Sequence, residues 1–82
     1  MRAPKVLSVV TVDENTLLVE FDNEQKKKYD VTHLLDKDMF SPLKNPVLFR
    51  LVQVEKGGYA VYWNSEIDIS EYELWRNGQL LA

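Results

Sequence analysis

The fold follows from residues 6–31, whose sequence is VLSVVTVDENTLLVEFDNEQKKKYDV. Three segments in this region have the apolar alternation and the β-branched residues of strands: residues 5–12, 16–21 and 25–31. Two polar turns separate them, at residues 13–15 and 22–24, where Asn and Asp tolerate the backbone of a tight turn. The region therefore predicts a three-stranded antiparallel meander. Because both faces of the first strand carry apolar residues, we expect it to be buried on both faces near its middle.

The middle of the chain departs from this alternation at residues 32–45. Ser41-Pro42 has the composition of a helix start and Asn45-Pro46 that of a helix end, which predicts a short helix packed over the sheet. Residues 47–55 and 59–63 then predict two further strands, with a turn at residues 56–58 between them.

A final helix is predicted from its two ends. Ser70 and Glu73 have the spacing of a capping box, in which each side chain binds the backbone N–H of the other residue. Asn77-Gly78 is a strong stop signal, and residues 79–82 are expected to be a short tail. We therefore predict one small α+β domain over residues 1–82, consisting of a meander, a short helix, two further strands and a C-terminal helix.

Composition excludes several classes of protein. The 82 residues include no cysteine, so disulfides, thiolate zinc sites and cysteine nucleophiles are absent. A net charge of −3 argues against broad binding to nucleic acid or to anionic membranes. The longest apolar run, residues 59–63, is too short for a signal peptide or for the ~20 residues that cross a bilayer. We expect a cytoplasmic protein that does not associate with membranes.

Five short motifs, in their order along the chain, are similar to those of a known family. They are Pro4-Lys5-Val6, Phe21-Asp22-Asn23, Tyr29-Asp30-Val31, Asn45-Pro46 with Phe49, and Trp63 with Ile67-Asp68-Ile69-Ser70. Together they resemble the bacterial family called domain of unknown function 2442. The resemblance implies a small prokaryotic α+β domain, often encoded beside another small protein in an arrangement that resembles toxin–antitoxin pairs. It implies no catalytic residue.

Three polar residues are candidates for a ligand pocket or a minor enzymatic site: Asp30, His33 and Asp68. An Asp beside an imidazole is an arrangement used in general-base catalysis, and His33 is the only histidine. The alternative is structural, with Asp30 or Thr32 capping a helix and Asp68 binding backbone N–H groups near the start of the last helix. We predict no metal and no cofactor, since further ligands at suitable spacing are lacking.

The one basic run consists of Lys26, Lys27 and Lys28. It can contact phosphates, but three lysines on one strand are a small footprint beside the broad patch typical of nucleic-acid binding. Charged side chains also suit an exposed sheet edge. We therefore do not expect a nucleic-acid partner.

Aromatic residues are concentrated in the last quarter of the chain, and they are candidates for a partner-binding surface. The residues we assign to it are Tyr62, Tyr72, Trp75 and Leu80. Aromatic side chains are enriched at protein interfaces, although a small domain also needs its largest side chains in the core.

Two functions are consistent with these patterns. The first is a non-enzymatic interaction or regulatory module. The family resemblance implies that its partner is a small protein encoded nearby, with the two forming a toxin–antitoxin-like pair. The second is a small ligand-binding or minor enzymatic domain that uses Asp30, His33 and Asp68. A homodimer formed through the edge strands of an open sheet is a further expectation.

Overall fold

The computed structural model describes residues 3–81, so Met1, Arg2 and Ala82 of the predicted domain lie outside the described residues. The strands are β1 (Val6–Thr11), β2 (Thr16–Phe21), β3 (Lys26–Asp30), β4 (Gln53–Val54), β5 (Ala60–Asn64), β6 (Ile67–Ser70) and β7 (Gln79–Leu80). The helices are α1 (Pro46–Phe49) and α2 (Glu71–Asn77), and two 3₁₀ turns cover Thr32–Leu34 and Ser41–Lys44. This is the α+β fold that the sequence predicts.

The strands form two antiparallel sheets, with orders β1-β2-β3-β7 and β4-β5-β6. The predicted meander is confirmed as the first three strands of the larger sheet. The prediction of a short tail after the last helix is wrong at Gln79 and Leu80, which pair with Lys28 and Lys27. This pairing joins segments about fifty positions apart, so no local pattern indicates it.

The prediction that β1 is buried on both faces is also wrong. Val6 is buried and Val9 is half-buried, but Leu7 and Val10 are exposed. Pairing of Val10 with Leu18 places it on the outer face of the larger sheet, which carries mostly polar and charged side chains. An antiparallel sheet often packs one face on the core and leaves the other in solvent.

The core lies between the inner faces of the two sheets. Its members are aromatic and aliphatic side chains from most of the elements: Val6, Leu17, Val19, Phe21, Tyr29, Val31, Leu34, Leu43, Phe49, Val61, Trp63, Ile67, Ile69 and Leu74. The indole N–H of Trp63 donates to the carbonyl of Phe49 over 2.8 Å, and the two rings stack with centroids 5.9 Å apart. A buried N–H is thereby satisfied inside the core, as burial of a polar group requires.

The predicted strand at residues 47–55 is wrong over most of its length. Pro46 begins helix α1, and the side chain of Asn45 caps it by accepting the N–H of Val47 over 2.9 Å. Proline is favoured at the first helical position because its missing N–H has no partner there. Asn45-Pro46 therefore ends the 3₁₀ turn at Ser41–Lys44, as predicted, and also starts the helix α1, which was not predicted. Only Gln53 and Val54 form the strand.

A close backbone contact joins β1 to the turn that precedes β5. The N–H of Val6 donates to the carbonyl of Gly58 over 2.9 Å. Gly58 has a φ of +77°, and a Cβ at this position would lie 2.5 Å from the carbonyl oxygen of Val6. Only glycine fits such a conformation and such a short approach. The contact brings the start of β1 against the smaller sheet.

Candidate functional site

A chain of three polar side chains connects the core to the surface. The hydroxyl of buried Tyr29 on β3 donates to Oε2 of Glu73 on α2 over 2.7 Å, and its oxygen lies 3.2 Å from Nε2 of His33. The phenol has one proton, which is used on Glu73, so Nε2 of His33 must donate to the phenolic oxygen. Nδ1 is then the imidazole nitrogen left for other partners.

Because Glu73 binds Tyr29, only half of the predicted capping box is present. Ser70 is the N-cap of α2, and its Oγ accepts the N–H of Glu73 over 3.2 Å, as predicted. The carboxylate of Glu73, however, binds Tyr29. Burial raises the pKa of Tyr29 above its ordinary value, and the hydrogen bond to Glu73 and the charge of Glu73 raise it further. Tyr29 is therefore a neutral donor at physiological pH.

Asp30 and His33 do not form the Asp–imidazole pair that catalysis by a general base would use. Oδ1 of Asp30 accepts the N–H of Thr32 over 2.8 Å, and among residues 3–81 no hydrogen bond joins Asp30 to His33. The N-cap of this 3₁₀ turn is Val31, so neither Asp30 nor Thr32 occupies the predicted cap position. The side chain of Thr32, and then its backbone N–H, lower the pKa of Asp30, which is ionised at neutral pH.

Asp30 and His33 do line the same surface depression, which has a volume of about 340 Å³. The residues around it are Thr16, Lys28, Asp30, His33, Asn77 and Gln79. Asp68 lies on β6, is exposed, and lines a different depression with Tyr62. The structure therefore brings together two of the three predicted pocket residues and separates the third.

Several apolar side chains at the C-terminal end of the domain are exposed. Leu80 is 58% exposed, and Tyr72 and Leu81 are also exposed. Leu80 pairs with Lys27 on β3, whose ammonium lies 3.9 Å from the ring centroid of Trp75 and donates to the carbonyl of Trp75. We call these five residues the C-terminal surface.

Trp75 contributes both to the core and to this surface. Its ring meets that of Phe21 edge-to-face at a centroid distance of 5.1 Å, and it remains half-buried. Tyr72 lies three residues earlier on the same helix, and residues at this spacing are neighbours on a helix surface. Of the four predicted partner-binding residues, Tyr72 and Trp75 are thus neighbours on α2, and Leu80 pairs with the lysine that contacts Trp75.

Tyr62 lies elsewhere. It is on β5, where it pairs with Asp68 on one side and with Gln53 on the other. Its hydroxyl donates to the side chain of Gln53 over 3.1 Å. Tyr62 therefore belongs to the outer face of the smaller sheet and not to the C-terminal surface.

The three consecutive lysines do not act as one patch. Lys27 points inward toward Trp75, whereas Lys26 and Lys28 are exposed on the opposite face of β3. This follows from the alternation of side chains along a strand. The run therefore presents two ammonium groups to solvent on that face.

Lys5 connects the start of β1 to the last helix. Its ammonium lies 2.8 Å from Oε1 of Glu71 and 4.4 Å from the ring centroid of Tyr59. In the described part of the chain, Lys5–Glu71 is the one ion pair in which nitrogen and oxygen lie within 4.0 Å of each other. Together with the Gly58 contact, it fixes the N-terminal end of α2 against both sheets.

Sequence reasoning missed Tyr29, Glu73 and Lys27 as parts of these arrangements. Tyr29 stood in one of the motifs that carry the family resemblance, which was the one signal available for it. Glu73 was assigned entirely to helix capping. Lys27 was grouped with its two neighbours, although strand alternation separates it from them.

Comparison with protein families bears directly on this fold and its motifs. Residues 6–79 match the family described as "Protein of unknown function (DUF2442)". The chain belongs to the DUF2442 family. The comparisons with curated proteins and with solved structures gave no match.

Two further findings on this DUF2442 domain concern metal ligands and membrane-crossing helices. Residues 3–81 contain no group of three or more His, Asp or Glu side chains arranged to hold a metal ion. Over the same residues, neither helix has the length and apolar character needed to cross a membrane. The candidate features of this domain are the C-terminal surface and the depression beside Asp30 and His33.

Proposed function

We propose that this DUF2442 protein is a non-enzymatic interaction module of the cytoplasm that binds another small protein through its C-terminal surface. The observation that carries the proposal is the exposure of Tyr72, Leu80 and Leu81. Tyr72 lies one turn from half-buried Trp75 on α2, and Leu80 pairs with Lys27, which contacts Trp75. Apolar side chains that are exposed together mark interaction sites more often than scattered ones do. The family resemblance adds that the partner is the product of a neighbouring gene, as in toxin–antitoxin-like pairs.

The construction of the surface supports this role. Trp75 is held between the ring of Phe21 and the ammonium of Lys27, so its orientation is set before any partner arrives. Tryptophan and tyrosine dominate the energetics of interfaces, and a side chain already held in place loses little conformational entropy on binding. Trp75 and Tyr72 are therefore the anchors of the proposed contact.

The neighbouring sheet edge adds a second means of contact. Strand β7 pairs with β3 on one side, and among residues 3–81 no strand pairs with its other side. An unpaired edge offers backbone N–H and C=O groups to a strand of a partner. A partner at this position would contact Leu80 and the edge together.

Affinity capture of the tagged protein from its host at moderate salt tests the proposal. The wild type is compared with two variants that each introduce a negative charge. Leu80→Glu places a carboxylate in the proposed contact. Leu51→Glu is the matched control, because Leu51 is 57% exposed, is not part of the C-terminal surface, and gives the same change in net charge. The eluates are analysed by mass spectrometry and by absorbance for nucleic acid, and the oligomeric state of each variant is measured by sedimentation.

The proposal expects one small protein in stoichiometric amount with the wild type and with Leu51→Glu, and its loss with Leu80→Glu. Retention of the partner by Leu80→Glu would show that this surface is not the contact. Absence of any companion, or a self-associated wild type that Leu80→Glu dissociates, would overturn the proposal of a separate small-protein partner. Recovery of nucleic acid instead of protein would overturn it as well.

A further inference from the structure

The depression beside Asp30 and His33 is built from widely separated parts of the chain. Asp30 pairs with Thr16 across β2 and β3, and Lys28 pairs with Gln79 across β3 and β7, so these four side chains lie on one face of the sheet. The 3₁₀ turn adds His33, and the last residue of α2 adds Asn77. The lining is therefore polar and carries both a cation and an anion.

The two opposite charges in this depression do not neutralise each other directly. Among residues 3–81, no ion pair within 4.0 Å involves Lys28 or Asp30. The carboxylate of Asp30 accepts the N–H of Thr32 at Oδ1 and also interacts with the side chain of Thr32, but it is exposed and its two oxygens have further lone pairs. The ammonium of Lys28 and the remaining lone pairs of the Asp30 carboxylate can therefore meet a ligand.

The histidine contributes an acceptor to the same place. Its Nε2 donates to Tyr29, whose proton is committed to Glu73. In the neutral imidazole, Nδ1 is then an acceptor. His33 and Asp30 can accept hydrogen bonds from a cationic group, whereas Lys28 and the side-chain amides of Asn77 and Gln79 can donate to an anionic one.

We propose that this depression binds a free α-amino acid through its zwitterionic backbone. The carboxylate of the ligand lies toward Lys28 and the amides, and its ammonium lies toward Asp30 and His33. A simple anion would meet the charge of Asp30, and a simple cation would meet that of Lys28, so a ligand with both charges is the best match. A volume of about 340 Å³ holds a molecule of this size.

Titration of the ¹⁵N-labelled protein with glycine, followed by two-dimensional NMR, tests the proposal. Glycine has the two charged groups and no side chain, so binding reports recognition of the backbone alone. Acetate and methylammonium, at matched ionic strength, each supply one of the two charges. The observed signals are the side-chain amides of Asn77 and Gln79 and the ring of His33.

Glycine is expected to cause saturable shifts at these signals, with acetate and methylammonium at least about tenfold weaker. Asp30→Asn and Lys28→Met are each expected to weaken glycine binding by about tenfold or more. The asparagine side chain in the first variant keeps an oxygen for the N–H of Thr32, so the turn is preserved. Lys26→Met is the matched control, because Lys26 is exposed on the same face of β3 but does not line the depression, and it should bind as the wild type does.

Two results would overturn the proposal. One is the absence of saturable shifts at the highest glycine concentration used. The other is equal binding of acetate or methylammonium, which would show that one charge suffices. If Lys26→Met weakened binding as much as Lys28→Met, the effect would be one of general charge, and this too would contradict the assigned contacts.

Discussion

Replacement of Tyr29 by phenylalanine isolates the hydrogen-bonded chain between the core and the surface. The ring of Tyr29 is fully buried, and phenylalanine preserves its volume and packing. The change therefore removes one hydroxyl and its two contacts, to Glu73 and to His33. We expect Tyr29→Phe to lower the free energy of unfolding without altering the fold.

The expected loss is about 2 kcal/mol at pH 7. A hydrogen bond to an ionised group contributes roughly 1.5–3 kcal/mol, and the half-buried carboxylate of Glu73 loses such a bond. His33 is exposed, so water replaces the phenolic oxygen at its Nε2 and this contact adds little. For a domain whose total stability is about 5–10 kcal/mol, a loss of this size is readily measured.

The same residue predicts how stability depends on alkaline pH. Burial, and then Glu73, raise the pKa of Tyr29 in the folded state above the ordinary value of 10.0. Its contribution is thus fully present below pH 10 and is lost as the pH rises further, because the unfolded chain ionises first. Above pH 10 the free energy of unfolding should fall by up to ~1.4 kcal/mol per pH unit from this group. The Tyr29→Phe variant should lack this contribution to the fall in the free energy of unfolding above pH 10.

Urea unfolding followed by tryptophan fluorescence, at pH 7 and at several values above pH 9, measures both effects. Tyr72→Phe is the control, because Tyr72 is at the surface and, among residues 3–81, its hydroxyl has one hydrogen bond, accepted from Arg76 over 3.1 Å. Its stability should change by less than about 0.5 kcal/mol. A Tyr29→Phe variant as stable as the wild type, or one with the same alkaline slope, would refute the reasoning.

Three further predictions concern the backbone and the core. Gly58→Ala should destabilise the protein by roughly 3 kcal/mol, because φ is +77° and the new Cβ would lie 2.5 Å from a carbonyl oxygen of β1. Gly57→Ala should cost about 1 kcal/mol, because its new Cβ would meet only the exposed side chain of Tyr59. Thermal unfolding of the two variants measures the difference, and equal melting temperatures would contradict the prediction. Trp63→Phe should cost about 2–4 kcal/mol in urea unfolding, since the carbonyl of Phe49 loses its donor and a cavity forms; a smaller change would show that water enters the site. Ser70→Ala should cost about 1 kcal/mol by the same assay through loss of the N-cap, and Ser70→Asp should restore most of it.

Local sequence patterns predicted the elements whose causes are local. The meander was predictable because alternation and turn residues lie within the segments that form it, and the last helix was predictable from Ser70 at its start and Asn77 at its end. The short run after Pro46 was misassigned because a few consecutive apolar residues fit a helix and a strand equally well. The capping contact of Asn45 favours the helix at this position, and the Asn45-Pro46 pair that makes it possible is present in the sequence.

The candidate sites were predictable only in part. Of the residues selected for partner binding, Tyr72 and Trp75 are neighbours on α2 and Leu80 is linked to Trp75 through Lys27, whereas Tyr62 lies on the smaller sheet. It grouped Asp68 with Asp30 and His33, but the distance between two segments of a chain cannot be read from their residue types. The contact of Glu73 with Tyr29 was missed for the same reason, because the two residues are far apart in the sequence. The capping box and Tyr29 compete for the Glu73 carboxylate, and only the folded structure shows that Tyr29 binds it.

The sequence by itself thus determined the fold class, the family and the absence of cysteine chemistry, because these depend on composition, short-range pattern and motif order. The tertiary structure alone decided which face of β1 meets solvent, the pairing of β7 with β3, and the hydrogen-bonded chain through Tyr29. Each of these depends on contacts between segments far apart in the chain. Such contacts form only when the two sheets and α2 pack together, and their energies have no signature in any single segment.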